Sequence, residues 1–505
     1  MLDQIFFFVA TVYCANLTPT IDVPRWSPCD FAIKTTTEQH ENPFKVQFSA
    51  TVKRPDGTTF TMPGFYDGDV WKIRVSPTAE GTWSLQTHSD DPSLDGKSAS
   101  FVCVPNTNPK VHGGLLVDSV NPYHFVFEDG TRYFMNGYEC DWLWVLDMDT
   151  LNSFLDKLVA YGFNDIILNA YAHDTSWSKG NMNEYDYGPP PKYAWEGTNE
   201  NPIHDRFNLS FWQHYDRMMD ALNLRGITAH IMIKVYNKMV NWPQKASEED
   251  DLYFRWLIAR YSAYPNVIWD FSKEANNEKD LDYKLNRFKF IHDNDPYHRL
   301  ITNHDDKAVY DTGVYNKVLD FRSDQQHSNW HEKILEQRKQ NIWPVVNVEF
   351  GYEHGPKGID DKTYGVVQSP EEVCRRAWEI CLAGGYIVYY YTYTAWDIIK
   401  PEETPSGYAY FKNLYDFFNG TKYWLMEPAD ELVSEGYCLA NRGKEYVVFL
   451  NKGKPFKISL PDGLFKGVWF DPFNGMYIDS GEIKGELNPP SGYSEKPIVL
   501  HITDK

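Results

Sequence analysis

The chain has 505 residues, 24% of them charged and 42% hydrophobic, so it is a soluble globular type too long for one ordinary core. A net charge of −21 and no long Lys/Arg cluster argue against a nucleic-acid partner. Seven cysteines without a CxxC pair argue against a zinc site or a dense disulfide scaffold, and Cys374 and Cys381 read as packing residues on one helix face.

Residues 1–19 contain the apolar run Ile5–Ala15, too short to span a bilayer but suited to the core of an export signal. Met1-Leu-Asp-Gln lacks the usual positive charge, which leaves a first β-strand as the alternative. Export is the favoured reading and implies a secreted or periplasmic protein.

Residues 20–110 alternate apolar and polar side chains in short runs such as Lys45–Val52, Val70–Val75 and Glu80–Thr87, punctuated by turns such as Arg54-Pro-Asp-Gly57. That pattern predicts an N-terminal β-sandwich. From 111 to 424 strand and helix patterns alternate. Leu151, Phe154, Leu155, Leu158 and Val159 mark one helix that stops near Gly162; Phe211, Tyr215, Met218, Met219 and Leu222 mark another that stops near Gly226. Strands are expected near 133–138, 164–170, 228–235, 266–272, 299–303, 318–322, 344–350 and 386–393. Eight such units favour a (β/α)8 TIM barrel over an open doubly wound sheet, and no glycine-rich phosphate loop follows the first strand. Residues 425–505 return to strands and predict a second, smaller β-sandwich, so the fold class is a central barrel flanked by two β-sandwich domains.

In a β/α barrel the polar residues just after each strand face the active site. In strand order this chain offers Glu139, Asp141, Trp142 and Trp144; Asn169, Tyr171, His173, Asp174 and Trp177; Lys234 and Tyr236; and Lys273 and Glu274. Then follow Asn303, His304 and Asp305; Asp324, Gln325, Gln326 and His327; Glu349, Glu353 and His354; and Tyr393, Trp396 and Asp397. Amides, histidines and flat rings in this number suit a sugar, which needs many hydrogen bonds and stacking faces. The substrate contacts expected are Trp142, Asn169, His173, Tyr236, Asn303, His304, Asp324, His327 and Trp396. Any one of them has an ordinary alternative as a capping or loop residue, and the 17 Trp, 34 Tyr and 30 Phe are first of all core.

Glu274 and Glu349 stand apart because each ends an apolar strand, where an unpaired charge is costly without a purpose. Two carboxylates at one barrel mouth are the minimum machinery of glycoside hydrolysis. Glu353, four residues on, is the rival of Glu349. His173, His304 and His327 would serve a barrel metallohydrolase instead, but no strand carries an HxH pair, so no metal and no cofactor is expected.

These residues resemble glycoside hydrolase clan A, and the whole chain resembles the apiosidase-like hydrolases. The likeness rests on Gly64-Phe-Tyr-Asp-Gly-Asp69 with Arg74, Pro77 and Gly81-Thr-Trp83, and on Phe127-Glu-Asp-Gly-Thr-Arg-Tyr133. Tyr437-Cys-Leu-Ala-Asn441 and Trp469-Phe-Asp-Pro-Phe-Asn-Gly475 resemble the collagen-binding-type module of those proteins. The resemblance implies Glu274 as acid/base after strand 4, Glu349 as nucleophile after strand 7, and Trp396 as the tryptophan under the catalytic subsite. It implies hydrolysis of a plant or algal polysaccharide or oligosaccharide with retention; the alternative is a carbohydrate-binding protein on a barrel that has lost catalysis. The clan places Asn where this chain has Lys273. An ammonium there, or at Lys234, would suit an acidic sugar, although strand parity points Lys273 outward.

Overall fold

The structure, a computed structural model, describes residues 11–13, 21–34, 40–173, 192–354, 367–394 and 399–505. Two sheets form the N-terminal region. One runs Thr11–Tyr13, Cys29–Lys34, Val70–Val75, Phe65–Tyr66; the other runs Ile21–Pro24, Ser98–Val104, Gly81–Ser89, Phe48–Lys53, Thr59–Pro63. Alternate residues of these strands are buried, and Trp71, Trp83 and Phe101 fill the space between the sheets. Thr11–Tyr13 lies parallel to Cys29–Lys34. Part of the apolar N-terminal run is thus a strand, the alternative that the sequence left open.

The central region is a barrel of eight parallel strands: β1 (Asn136–Glu139), β2 (Asp165–Asn169), β3 (Thr228–Val235), β4 (Val267–Lys273), β5 (Ile301–Thr302), β6 (Arg322–Asp324), β7 (Val345–Asn347) and β8 (Tyr386–Tyr389). Each is followed by a helix: α1 (Met148–Ala160), α2 (Leu209–Leu224), α3 (Glu248–Tyr261), α4 (Leu281–Asn294), α5 (Lys307–Tyr310), α6 (Trp330–Gln340), α7 (Pro370–Leu382) and α8 (Gly407–Asn419). The sheet closes between β5 and β6 through the His304–Ser323 bridge and an Asp320 N–H donated to the Ile301 carbonyl at 2.9 Å.

Local chemistry fixes the ends of these elements. Asp147 caps α1 by accepting from the Asp149 and Thr150 amides, and Gly162 ends it at φ 79°. Ser369 caps α7 with Pro370 in its first turn, and Cys374 and Cys381 are both buried along it. Outward residues of β4 pack on the helices. Trp269 donates to Asp295 at 2.9 Å, and Phe271 meets Phe254, Tyr283 and Phe288. Inward residues make a polar floor, with His230 Nε2 3.1 Å from Asp270 Oδ2.

The last region is a six-stranded antiparallel sheet in the order Glu427–Pro428, Tyr437–Asn441, Glu445–Leu450, Ile498–Asp504, Phe465–Phe470, Tyr477–Glu482, with the short pair Phe456–Lys457 and Glu486–Leu487 beside it. It docks on α6 to α8. The His331 ring stacks on Tyr437 at 3.8 Å, Trp378 stacks on Phe449 at 5.8 Å, and Asn413 donates to the Phe473 carbonyl at 3.0 Å. No described helix is long and apolar enough to cross a membrane.

The motif around Gly64–Asp69 and Arg74 seats the N-terminal sheets on the barrel. Arg74 pairs with Asp30 at 2.7 Å and Asp216 of α2 at 3.1 Å, and it donates to the Arg260 carbonyl of α3 at 2.8 Å. Arg260 returns to Asp67 at 3.2 Å and Asp216 at 2.6 Å, while Lys72 reaches Asp67 at 2.6 Å. Three cations meet three carboxylates in this buried junction. Burial opposes ionisation of Asp67 and Asp216, but Arg260 and Lys72 at Asp67, and Arg260 and Arg74 at Asp216, outweigh it and hold both carboxyls below the usual range.

Candidate active site

The site is built where β4, β5, β6 and β7 end. Glu274 follows β4 in a left-handed conformation, φ 54° and ψ 44°, which costs a non-glycine residue about 1 kcal/mol. The loops after β4 and β5 are zipped together: the Ala275 amide donates to the His304 carbonyl at 3.1 Å and the Asn276 amide to Asp305 at 3.2 Å. That pairing holds the unfavourable conformation and aims the Glu274 carboxylate at the mouth. Asp305, also left-handed at φ 55°, has its carboxyl pushed up to about 6, chiefly by burial.

Glu349 lies two residues past β7 and is only 3% exposed. The Tyr352 hydroxyl donates to its Oε2 at 2.8 Å, the Lys273 ammonium lies 3.2 Å from Oε1, and His304 Nε2 lies 3.4 Å from the same oxygen. Burial alone would raise its pKa, but Lys273, His304 and Tyr352 outweigh that effect and hold the carboxyl well below the usual range. His304 moves the other way. Burial disfavours its charge, yet the Glu349 carboxylate raises its pKa above the ordinary histidine value.

His304 also connects the two glutamates. Gln325 Nε2 donates to Glu274 Oε1 at 3.2 Å and lies 3.3 Å from His304 Nε2. His327 joins from above, its Nε2 3.3 Å from Gln325 Oε1 and its ring 5.7 Å from that of Tyr352. Beneath Glu349, Lys273 is 1% exposed, bonded to Glu139 and 3.2 Å from both Asp141 Oδ2 and the Tyr390 hydroxyl. Burial, with Glu349 and Asp141 close by, raises the Glu139 pKa well above the usual carboxyl value.

The parity expectation for Lys273 is overturned. β3 and β4 keep one register from Ala229–Val267 through Met232–Asp270 to Val235–Lys273, with only the Ile233–Phe271 pair missing from the ladder. The Ile233 carbonyl accepts from the Tyr253 hydroxyl at 2.9 Å. Past this point the two lysines depart from strict alternation. Lys234 sends its ammonium out to Asp250 and Tyr283 at 2.6 and 2.7 Å, whereas Lys273 turns into the barrel. Lys234 is therefore remote from any sugar, and Lys273 is already engaged by three carboxylates.

Of the other expected contacts, the structure draws some to the mouth and sets others apart. Trp142 is buried and stacked on Trp144 at 6.0 Å, its indole N–H without a partner among the described residues. Asn169 at the end of β2 is wholly buried, and its side-chain amide likewise has no partner among the described residues. His173 lies against Tyr193 at 5.9 Å. These three line the β1–β2 side. Tyr236 packs on Phe271 in the helical layer, and Asn303 contacts Asp306 and Tyr315 at 3.4 Å in its own loop. Asp324 shares the outward face of β6 with Arg322, bonding it at 2.8 Å, and contacts Gln337 of α6. Trp396, Asp397, Asp174 and Trp177 lie outside the described residues.

The rival Glu353 points away from the barrel axis. It accepts from Tyr389 at 2.7 Å and from the Gly407 amide at 3.3 Å, and burial pushes its carboxyl up to about 7. Among the described residues no three His, Cys, Asp or Glu side chains are grouped to hold a metal ion. Tyr352 and Tyr390 were not singled out in the sequence. The available signal was their position, Tyr352 in the loop after β7 and Tyr390 directly after β8, the latter obscured by the aromatic run Tyr389–Tyr391.

A closed β/α barrel with a glutamate after its fourth strand and another after its seventh is the frame of a barrel glycoside hydrolase. The chain belongs to the apiosidase-like catalytic-domain family, whose model matches residues 119–429, more than half of its length. A domain of unknown function, DUF5060, matches residues 22–90. No curated protein matches. Among solved structures, a candidate glycoside hydrolase from Bacteroides vulgatus ATCC 8482 superposes with TM-score 0.80 at 22% identity, over 96% of this chain and 100% of that one. A glycoside hydrolase family 5 protein from the same organism gives TM-score 0.58 at 18% identity, over 78% of this chain and 93% of that one. Another glycoside hydrolase gives 0.62 at 18% identity, over 78% and 97%. At these identities the likeness is one of fold.

Proposed function

We propose that this glycoside hydrolase cleaves O-glycosidic bonds of a plant or algal polysaccharide or oligosaccharide by double displacement, with Glu349 as nucleophile and Glu274 as acid/base. The observation that carries the reading is Glu349 itself: a buried carboxylate held ionised by Lys273 and His304, linked through Gln325 to a second glutamate at the same mouth.

In the first step a Glu349 oxygen bonds to the anomeric carbon as the bond from that carbon to the leaving oxygen breaks. The Glu274 proton passes to the leaving oxygen. In the second step water gives its proton to Glu274 and attacks the same carbon, and Glu349 departs as a carboxylate. The Glu349 carboxylate places negative charge beside a transition state that becomes oxocarbenium-like. Retention calls for carboxyl groups about 5–5.5 Å apart. The flanking sheets hold the barrel and extend its surface. A polymeric substrate cannot cross a membrane, which supports a secreted or periplasmic site of action.

The test screens the wild type and Glu349→Ala against plant and algal polysaccharides and aryl glycosides, an aryl apioside included, by reducing-sugar release. Activity lost in the variant, with the product's initial anomer matching the substrate by proton NMR, is the expected result. Equal activity in both removes Glu349 as nucleophile, and an inverted product removes the double displacement. Binding without cleavage in both would favour a carbohydrate-binding protein.

A further inference from the structure

Lys273 is a buried cation, and its partners are of two kinds. Glu349 is the reacting carboxylate on the reading above, on which this inference rests. Glu139 and Asp141, on and just after β1, take no part in the chemistry: neither is bonded to Glu274, Gln325 or His304 among the described residues. A lysine serving Glu349 alone would lose its only counter-charge each time that carboxylate became an ester. A buried ammonium left so would be costly by several kcal/mol. Here it would keep its bonds to Glu139 and Asp141.

We propose that Lys273 is a positioning residue that anchors the Glu349 carboxylate, and that Glu139 and Asp141 hold the ammonium in place while Glu349 is esterified. The geometry supports both halves. Lys273 Nζ is 3.2 Å from Glu349 Oε1 and 3.2 Å from Asp141 Oδ2, bonds Glu139, and is fixed from β8 by the Tyr390 hydroxyl at 3.2 Å. Lys273 turns into the barrel toward Glu139 and Asp141 while Lys234 of β3 turns out to Asp250, so the anchor sits on the barrel's inner face.

The groups that face Glu349 are Lys273 from β4, Glu139 and Asp141 from the end of β1, and His304 and Asp305 from the loop after β5. His327 faces it from the loop after β6, Tyr352 from its own loop, Tyr390 from β8, and Glu274 from across the mouth. Lys273, 3.2 Å away, and His304, 3.4 Å away, are the cationic influences on it. The Lys273 ammonium therefore lowers the pH below which the nucleophile is lost, and His304 acts in the same direction.

The test titrates the full-length protein labelled with δ-13C glutamate, the Glu349 carboxyl signal being assigned by its disappearance in Glu349→Gln. Lys273→Met is expected to move that titration upward by about one pH unit or more, the range that an adjacent cation commands. Should Lys273→Met fold poorly because Glu139 and Asp141 are left without it, Lys273→Met/Glu139→Gln removes one of those two carboxyls as well. It should shift the signal the same way, since Lys273 is 3.2 Å from Glu349 Oε1. An unmoved Glu349 titration in a variant with native circular dichroism and melting would overturn the proposal and leave Lys273 a packing residue. The readout needs no substrate, so it is decided separately from the hydrolase assignment, which rests on the activity of Glu349→Ala.

Discussion

Two buried charge clusters in this molecule have opposite designs. At the junction of the N-terminal sheets and the barrel, Arg74, Arg260 and Lys72 meet Asp30, Asp67 and Asp216 one for one. At the mouth, one ammonium, Lys273, meets Glu139, Asp141 and Glu349, with His304 beside Glu349. In the junction the resolved carboxyl shifts run downward, which is the mark of pairs that stabilise the folded state. In the mouth the Glu139 pKa rises and that of Glu349 falls, so two carboxyls of one cluster are driven to different protonation states. Balance serves stability; imbalance leaves charge free for chemistry.

Substitutions should separate the two clusters. Glu349→Ala removes the nucleophile, and kcat/KM on a cleaved substrate should fall by at least about 10⁴-fold with little change in melting temperature. Glu274→Ala should slow hydrolysis by roughly 10² to 10⁴-fold. The loss should be smallest for aryl glycosides with acidic leaving groups, which need no proton, and a leaving-group series checks it.

Arg74→Met should act on stability instead. Breaking a buried pair leaves Asp30 and Asp216 short of a partner and should cost about 3–5 kcal/mol by urea denaturation, with kcat/KM unchanged while the protein is folded. Asp67 and Asp216 have folded pKa values depressed below the unfolded one, so their contribution is complete above the unfolded value, near pH 4, and is lost as pH falls below it. Wild type should therefore lose stability more steeply than Arg74→Met as pH drops from about 5 to 3.

The smallest effect is expected at Glu353. It lies outside both clusters, held by Tyr389 and Gly407, so Glu353→Gln should keep kcat/KM within roughly threefold, less than the 1.4 kcal/mol of a tenfold change. A loss as large as that of Glu349→Ala would make Glu353 the essential carboxylate and dissolve the contrast drawn between the clusters.

Local pattern determined the elements. The period-2 run Val267–Lys273 and the helix stripe Leu151–Leu158 are folded as their spacing requires, because alternation and a 3.6-residue period each bury one face. The placement of Glu274 and Glu349 at strand ends followed from the same reasoning. What pattern could not reach was direction beyond the last regular pair. Asp324, Asn303 and Tyr236 also end or follow strands, yet they turn to Arg322, Tyr315 and Phe271 in the outer layer or in their own loops.

Lys273 shows the limit most clearly. Its parity points outward, yet past the missing Ile233–Phe271 pair, where Tyr253 takes the Ile233 carbonyl, the side chain turns inward to Glu139 and Asp141 with the strand register unchanged. The Gly64–Asp69 motif likewise marked the family, but that it clamps the N-terminal sheets to α2 and α3 depended on Asp216 and Arg260, some 140 and 190 residues downstream. Strand, helix and candidate carboxylates were set by short-range periodicity. The pairing of buried charges was decided by contacts between distant strands, because a charge inside a barrel takes whatever partner the closed sheet brings to it.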